Sequence, residues 1–301
     1  MTIRFGVSPI AWINDDMPEL GGGTPLQTVL ADARGVGFSG IELGGSFPRD
    51  PAELAGLLGS YDLVLVGGWY SGSLLAQTAQ EEIDALQSHM RLLEAMGSSV
   101  FIFAETSNAI HGQRGRPLSE TPRLAADDWR RFGERITDVA DYLAGRGFRF
   151  AYHHHLGTVV ENAEDLDAFL AATGDNAGLT LDTGHAVLGG IDPVSVIRRH
   201  PARITHVHCK DVRNVAYRRL KAERGSFLDG VLAGMFTVPG DGDIAFGPLM
   251  EALAAVDYAG WIIVEAEQDP ALANPRRYAE LGLRSLAQEA ATAGLRVEAE
   301  P

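Results

Sequence analysis

Short apolar runs alternate with longer amphipathic segments from one end of the chain to the other. The short runs are continuously apolar instead of alternating apolar and polar, which is typical of parallel strands buried on both faces. Each is four or five residues long, the usual length of such a strand. The runs are Ile3–Val7, Gly40–Leu43, Leu63–Val66, Val100–Ala104, Phe148–Tyr152, Gly178–Leu181, Ile204–Val207 and Trp261–Val264.

The segments between these runs carry apolar residues at helical spacing. In the first of them, Thr24 is a candidate N-cap and Pro25 stands at the first helical position, which favours helix initiation. The second ends before Gly97, a common residue type at helix C-termini. The predicted helices are Thr24–Val36, Gln80–Met96, Asp127–Gly145, Ala163–Ala172, Pro193–His200, Pro248–Val256 and Pro275–Ala293.

Strands that alternate with helices predict a parallel sheet with right-handed crossovers. Eight such units favour a closed (β/α)8 barrel, a TIM barrel, that forms one domain over residues 1–301. The rival is a doubly wound dinucleotide-binding sheet. Its glycine-rich turn is missing, because the first strand is followed by Ser8-Pro-Ile-Ala-Trp12 and not by G-x-G-x-x-G.

Composition narrows the class of partner. The 301-residue chain has a formal net charge of −15, which argues against nucleic acid and anionic lipid, since both attract a basic surface. No apolar run approaches the roughly 18 residues of a membrane helix. Cys209 is the single cysteine, so an intrachain disulfide is impossible and a reducing, cytoplasmic location is expected.

Two connections are long for a compact barrel. Residues 105–126 are polar, and residues 211–247 combine mixed charge with an apolar patch around Phe227–Phe236. Both follow predicted strands, which places them on the rim where barrel active sites form. The apolar patch is a candidate lid, or an interface between copies of the chain.

Metal-binding residue types collect at the ends of the predicted strands. A mixed set of histidines and carboxylates is typical of Mn²⁺, Co²⁺, Fe²⁺ or Zn²⁺. Asp182, His208 and Glu265 follow or occupy three successive strands, so their side chains are expected to meet above the barrel mouth. The full set is Glu42, Glu105, His153, His154, His155, Asp182, His185, His206, His208, Asp211, Glu265 and Glu267.

Structural roles compete with this interpretation at single positions. Asp182 is also well placed to cap the following helix, and His206 fits a hydrogen-bonded core histidine. Glu42 is a candidate partner for an arginine, and Glu267 a candidate for a solvated loop. Taken together, so many ionisable groups at buried strand ends favour a metal site, because buried charges are costly unless they are paired or metal-bound.

Aromatic residues add a second feature of the rim. Trp12 follows the first strand and Trp69 follows the third. Flat apolar rings beside polar groups suit the ring of a sugar or cyclitol, although ordinary packing is the commoner role of tryptophan. Both are therefore candidates for substrate contact.

Seven segments together resemble the xylose-isomerase-like barrels, a group of sugar isomerases, epimerases and dehydratases. The sequences D-T-G-H and H-x-K-D occur across that group. The narrower stretches N-D-D-M-P-E-L-G-G and V-E-A-E-Q-D resemble the inosose dehydratases. The segments are Pro9–Gly22, Gly37–Gly44, Tyr152–Thr158, Leu181–His185, His206–Arg213, Pro239–Gly242 and Val264–Asp269.

The resemblance implies a divalent metal, Mn²⁺ or Co²⁺, held by Asp182, His208 and Glu265. The group's usual fourth ligand is a glutamate at the end of the fifth strand, and His153 stands at that position here. His153, His155 and water are the alternatives for the fourth ligand. The resemblance also implies that His185 and Arg213 contact substrate.

The activity implied is removal of water from 2-keto-myo-inositol through a metal-stabilised enediolate. Keto-inositol isomerisation and ketose 3-epimerisation need the same enolisation and are the alternatives. A barrel that binds a ligand without turning it over is a third possibility, and a homo-oligomer is compatible with the group. The candidates for acid–base catalysis are His155, His185 and Glu42. The candidates for substrate binding are Trp12, Asn14, Trp69, Lys210, Asp211 and Arg213.

Overall fold

The computed structural model describes residues 2–298 and confirms the predicted barrel. Eight parallel strands pair in chain order, and the first pairs with the last, which closes the sheet. The barrel strands are β1 (Thr2–Val7), β2 (Gly40–Leu43), β3 (Val64–Gly72), β4 (Val100–Glu105), β5 (Arg149–His153), β6 (Ala177–Asp182), β7 (Ile204–Cys209) and β10 (Gly260–Val264). Three further short strands are β8 (Asp211–Val212), β9 (Phe236–Thr237) and β11 (Arg296–Val297).

The helices lie between the strands in the order expected of the fold. They are α1 (Leu26–Val36), α2 (Pro51–Gly59), α3 (Ala79–Ala85), α4 (Gln87–Ala95), α5 (Ala126–Gly145), α6 (Ala163–Ala172), α7 (Thr183–Leu188), α8 (Pro193–Arg199), α9 (Asn214–Glu223), α10 (Phe227–Leu232), α11 (Phe246–Ala255) and α12 (Pro275–Thr292). Within residues 2–298, no helix has both the length and the apolar character that a bilayer span requires.

Two details of the predicted helices are wrong. Thr24 is not the N-cap of α1, because Pro25 keeps an extended backbone (φ −60°, ψ 135°) and the helix begins at Leu26. The segment predicted as a single helix over Gln80–Met96 is divided at Leu86, where ψ opens to −7°. Neither difference moves a strand, because the apolar faces of both segments still pack on the barrel.

Several barrel strands extend further towards their carboxyl ends than their apolar runs predict. β3 continues through Trp69, which pairs with Ile102 of β4. β6 and β7 include polar ends, where Asp182 pairs with His208. These polar side chains therefore lie on paired strands instead of loops, and their directions are set by the pleat of the sheet.

Close packing inside the barrel limits what some strand positions can hold. A β-carbon on Gly40 of β2 would lie 2.6 Å from the ring of Trp261 and 2.6 Å from Val66, so this position accepts only glycine. Ile102 lines a cavity at the carboxyl ends of the strands. Apolar side chains thus fill the lower barrel, and polar side chains begin above them at the carboxyl ends of the strands.

Candidate metal centre and active site

A cavity of about 380 Å³ opens at the carboxyl ends of the strands. Its size is in the range of small-molecule sites. Polar side chains from six barrel strands or the loops after them face it. The residues that line it are Ser8, Pro9, Ile10, Asp15, Asp16, Glu42, Leu43, Gly44, Gly45, Arg49, Trp69, Ile102, His111, His153, His155, His208, Glu265 and Glu267.

Four buried side chains converge at the wall of this cavity. His153, Asp182, His208 and Glu265 each offer one ligand atom, and these atoms all lie within 4.8 Å of one another. His208 Nδ1 is 2.5 Å from Glu265 Oε2 and 3.8 Å from Asp182 Oδ2. The structure thus brings together the three residues that the resemblance implies as ligands, and His153 lies with them.

The donor set fits a divalent cation. Asp182 Oδ2 is buried and has no hydrogen-bond partner among residues 2–298, and His208 Nδ1, which faces it, likewise lacks one. Burial raises the pKa of Asp182 to about 6. Unsatisfied buried acceptors are costly, and a shared cation satisfies several of them at once. Two imidazoles with two carboxylates are ligands that Mn²⁺, Co²⁺, Fe²⁺ and Zn²⁺ accept.

Asp182 serves the local fold as well as the cluster. Its Oδ1 accepts a 2.8 Å hydrogen bond from His185 N, so the carboxylate caps α7. Its Oδ2 points to His153 Nε2 and His208 Nδ1, each 3.8 Å away. The capping role and the cluster role are therefore compatible, because each uses a different oxygen.

Lys210 forms ion pairs with two carboxylates at the cluster, Glu265 and Glu267. Its ammonium group is fully buried and lies 2.8 Å from Glu265 Oε1 and 2.5 Å from Glu267 Oε1. Burial would raise the pKa of Glu265, but Lys210 and His208 lower it well below its ordinary value. Glu267 is 2% exposed, so its interpretation as part of a solvated loop is wrong.

We expect Lys210→Met to lower the free energy of unfolding by about 3–5 kcal/mol, because it leaves two buried carboxylates without their cation. Urea denaturation of the metal-free protein measures this loss without a contribution from metal binding. The matched control is Lys221→Met at the chain's other lysine, which is exposed on α9. A loss at Lys210 no larger than the loss at Lys221 would contradict this role.

His155 presents an unprotonated nitrogen to the cavity. Its Nδ1 lies 2.7 Å from Leu156 O, and because a carbonyl only accepts, Nδ1 carries the hydrogen. In the neutral ring, Nε2 then holds the lone pair. Burial, together with His111 and Lys210, lowers the pKa of His155 well below its ordinary value, so the ring is in its proton-accepting form at neutral pH.

His185 lies behind His155 and is fully buried. The two rings are 3.7 Å apart between centroids. Leu156 N lies 3.3 Å from His185 Nδ1, and Lys210 Nζ lies 3.2 Å from its Nε2. His185 is not part of the cavity wall, and its role in catalysis or substrate contact stays a prediction.

Glu42 is held by two histidines of β7. Its Oε1 is 2.8 Å from His206 Nε2 and 3.0 Å from His208 Nε2. Burial would raise the pKa of Glu42, but His208 and His206 lower it to about 2. A carboxylate that stays ionised and is already shared by two donors is a poor proton donor, which speaks against the predicted acid–base role of Glu42. Its partners are histidines, not an arginine.

Four predicted substrate-binding residues are not part of the cavity wall. Trp12 Nε1 donates to Asp32 Oδ2 at 3.0 Å, and Asn14 Oδ1 accepts from Asp16 N and Met17 N. Arg213 contacts Gly234 O, Thr237 and Asp241. Asp211 accepts four backbone hydrogen bonds, from Val212, Gly240, Gly242 and Ile244. These contacts give the four side chains structural roles, and their contact with substrate stays a prediction.

The other two predicted substrate-binding residues lie at the site. Trp69 is 37% exposed and lines the cavity, with its ring 5.2 Å from His153 and 5.9 Å from His155 between centroids. Lys210 is not part of the cavity wall, and its ammonium group contacts Glu265, Glu267 and Asp182. Trp69 is therefore the aromatic surface available to a substrate ring.

Sequence reasoning missed five polar residues of the cavity wall: Ser8, Asp15, Asp16, Arg49 and His111. Asp16 lies in the N-D-D-M-P-E-L-G-G stretch, so that motif could have drawn attention to it. His111 lies 4.8 Å from the His155 ring between centroids, but it belongs to a long loop with no periodic pattern. Arg49 carried no signal that distinguishes it from a surface arginine.

The apolar patch of the 211–247 connection forms a wall behind the site. Phe227 and Phe236 are fully buried, and Phe227 is stacked on His185 with 5.9 Å between ring centroids. Lys210 Nζ lies 4.7 Å from the centre of the Phe236 ring. These two rings are therefore unavailable to an interface between chains, and the lid and interface roles of the segment as a whole stay predictions.

Fold and site together define a class: α/β barrels in which histidines and carboxylates at the strand ends meet at one cavity. The chain belongs to the xylose isomerase-like TIM barrel family, whose sequence profile matches residues 30–289.

Individual relatives cover nearly the whole chain. The rhizopine catabolism protein MocC of Rhizobium meliloti is 44% identical over 99% of this chain and 91% of its own length. Inosose dehydratase of Geobacillus thermodenitrificans is 40% identical over 92% of this chain and 94% of its own length. A solved xylose isomerase domain protein from Alicyclobacillus acidocaldarius has a TM-score of 0.69 at 20% identity, covering 97% of this chain and 100% of its own. That likeness shows the fold alone.

Proposed function

We propose that this chain is a divalent-metal-dependent hydro-lyase that removes water from 2-keto-myo-inositol and yields a trihydroxycyclohexane-1,2-dione. The observation that carries the proposal is that His155 lines the same cavity as His153, His208 and Glu265, which form one cluster with Asp182. The similarity to inosose dehydratases over more than nine tenths of the chain supports the substrate.

The cluster is proposed to hold Mn²⁺ or Co²⁺. A cation bound there supplies a Lewis acid that makes the hydrogen beside a ketone more acidic. Lys210 keeps Glu265 ionised and in place, and Asp182 is kept in place by its bond to the amino end of α7. These contacts orient the ligands before a metal arrives.

His155 is the proposed base. Its hydrogen bond from Nδ1 to Leu156 O fixes the ring so that Nε2 takes the proton from the carbon beside the ketone. The electron pair of that C–H bond moves into an enediolate. Expulsion of the hydroxyl group on the next carbon then forms the C=C bond, and the resulting enol tautomerises to the dione.

The departing hydroxyl needs a proton to leave as water. His111 and Glu267 both line the cavity, and His111 Nδ1 and Glu267 Oε2 have no hydrogen-bond partner within the described residues. We assign the acid role to this pair of candidates in place of His185 and Glu42. Trp69 offers its ring face to the apolar side of the cyclitol.

The proposal also covers the substrate class, the domain organisation and the location of the protein. The enzyme acts on a small cyclitol or ketose and forms a single barrel domain over residues 1–301. A cytoplasmic location suits the single buried cysteine, Cys209. A homo-oligomer is compatible with the proposal, and measurement of the mass in solution tests it.

Metal removal and substrate supply test the proposal together. We expect purified protein with Mn²⁺ or Co²⁺ to convert 2-keto-myo-inositol to a product with the absorbance of a 1,2-dione, and chelation to stop the reaction until metal is restored. Mass spectrometry of the product should show the loss of one water. Rhizopines belong in the substrate panel, because one relative is named for their catabolism.

Two other outcomes would replace this proposal. An isomerised or epimerised ketone without dione would assign the chain to the keto-inositol isomerases or ketose 3-epimerases. Metal binding without turnover of any cyclitol or ketose in the panel would favour a binding protein.

A further inference from the structure

A second group of buried ionisable side chains lies next to the proposed metal centre. It consists of Glu42, His206 and His208, and His208 belongs to both groups. We propose that Glu42 is a positioning residue: by accepting a hydrogen bond from His208 Nε2, it fixes the tautomer and direction of that ring so that Nδ1 is the atom offered to the metal. The inference rests on the metal centre of the proposed function.

The direction of this hydrogen bond follows from the chemistry of its partners. An ionised carboxylate has no hydrogen to donate, so a histidine nitrogen 3.0 Å away must be the donor. His208 Nε2 therefore carries a hydrogen. In the neutral ring that binds a metal, the lone pair then belongs to Nδ1, since a neutral imidazole has one donor and one acceptor nitrogen.

The contacts of His208 Nδ1 agree with this assignment of the hydrogen to Nε2. His208 Nδ1 faces Glu265 Oε2 at 2.5 Å and Asp182 Oδ2 at 3.8 Å. A lone pair pointed at two carboxylates is repelled by them unless a cation or a proton lies between. The ring thus lies between two sites, with Glu42 at one edge and the ligand cluster at the other.

His206 holds Glu42 in position for this task. Both histidines lie on β7 two residues apart, so their side chains point to the same side of the sheet. Their Nε2 atoms donate to the same oxygen, Glu42 Oε1, at 2.8 and 3.0 Å. Glu42 comes from β2, on the other side of the barrel from β7 in the strand order. The carboxylate therefore reaches across the barrel interior to orient a ligand.

Metal-bound histidines commonly donate their second nitrogen to a carboxylate, and loss of that partner weakens metal binding by 10- to 100-fold. We expect Glu42→Ala to raise the dissociation constant for Mn²⁺ by about that factor. Glu42→Gln retains an oxygen acceptor of the same size without the charge, and we expect it to restore part of the affinity. The visible absorption spectrum of the Co²⁺-loaded protein should change in Glu42→Ala, because His208 then offers either nitrogen.

The matched control is Glu105→Gln. Glu105 is another fully buried carboxylate at a barrel strand end, but it accepts from Ser107 and Leu75 and contacts no member of the cluster. Glu105→Gln therefore tests whether the loss of any buried carboxylate charge weakens metal binding. We expect its Mn²⁺ dissociation constant and Co²⁺ spectrum to equal those of the unmodified protein.

Binding of Mn²⁺ is measured by electron paramagnetic resonance of the free ion, without substrate, on protein checked for folding by circular dichroism. If the unmodified protein binds Mn²⁺ and both Glu42 variants match its affinity and Co²⁺ spectrum, the positioning role is overturned while the metal centre stands. If the unmodified protein itself binds no metal, the proposed function and this inference both fall. If Glu42→Ala does not fold, Glu42→Met decides, because it keeps a side chain of similar length without an oxygen acceptor: weakened Mn²⁺ binding in it supports the role and unchanged binding overturns it.

Discussion

His208→Ala is expected to abolish both metal retention and turnover. The ring contributes Nδ1 to the cluster and stands between Asp182 and Glu265, so its removal leaves carboxylates that repel each other without an imidazole to share the cation. Metal analysis of the dialysed protein should fall from about one ion per chain to a small fraction of that value. The dione assay should fall to background.

The control for this variant is His154→Ala. His154 is also fully buried at the end of β5, but its nitrogens have no hydrogen-bond partner within the described residues and it belongs to none of the ligand groups. It should keep its metal and its activity. Wild-type turnover in His208→Ala would refute the site.

His155→Asn is expected to lower kcat by about 10²- to 10⁴-fold while the metal stays bound. Asparagine can still donate to Leu156 O, as His155 Nδ1 does, but it has no nitrogen lone pair to accept a proton. The fall should appear in kcat more than in KM, because the lost interaction belongs to the transition state. Steady-state kinetics and metal analysis of the same preparation measure both quantities.

His154→Asn is the matched control, since the same substitution is made one residue earlier in the segment that follows β5. It should leave kcat within a few-fold of the unmodified value. If His155→Asn retained nearly full kcat, His155 would not be the base, and His111 would be the next candidate on the cavity wall. If it lost its metal instead, His155 and not His153 would be the fourth ligand.

Together these two substitutions separate metal binding from proton transfer. Loss of metal and turnover in His208→Ala, with loss of turnover alone in His155→Asn, is the pattern expected for the proposed mechanism. A structural role for either ring would instead lower thermal stability and leave kcat per folded molecule unchanged.

The sequence by itself determined the barrel and the region of the site. Parallel strands buried on both faces need continuous apolar runs, and eight such runs separated by helices leave few topologies. The carboxyl ends of those strands meet at one mouth, so Asp182, His208 and Glu265 were predicted to approach one another, and the structure brings them within reach of a shared ion.

Only the tertiary structure decided which polar residues of the rim face the cavity. Asp211 and Asp16 are both acidic residues of rim segments, yet Asp211 is turned towards four backbone N–H groups while Asp16 lines the cavity. The choice depends on the paths of loops that carry no periodic pattern. Asp211 turns towards this loop because the N–H groups of Gly240, Gly242 and Ile244 donate to its carboxylate.

The roles of individual histidines likewise could not be predicted from the sequence. His153, His154 and His155 are adjacent and identical in type, and only their partners distinguish a proposed ligand, a packed ring and a proposed base. The partner of His208 at its second nitrogen, Glu42, is 166 residues away in the chain. Hydrogen bonds between such distant strands form only when the barrel closes, because closure brings their side chains within 3 Å. The local sequence around either residue therefore does not predict these bonds.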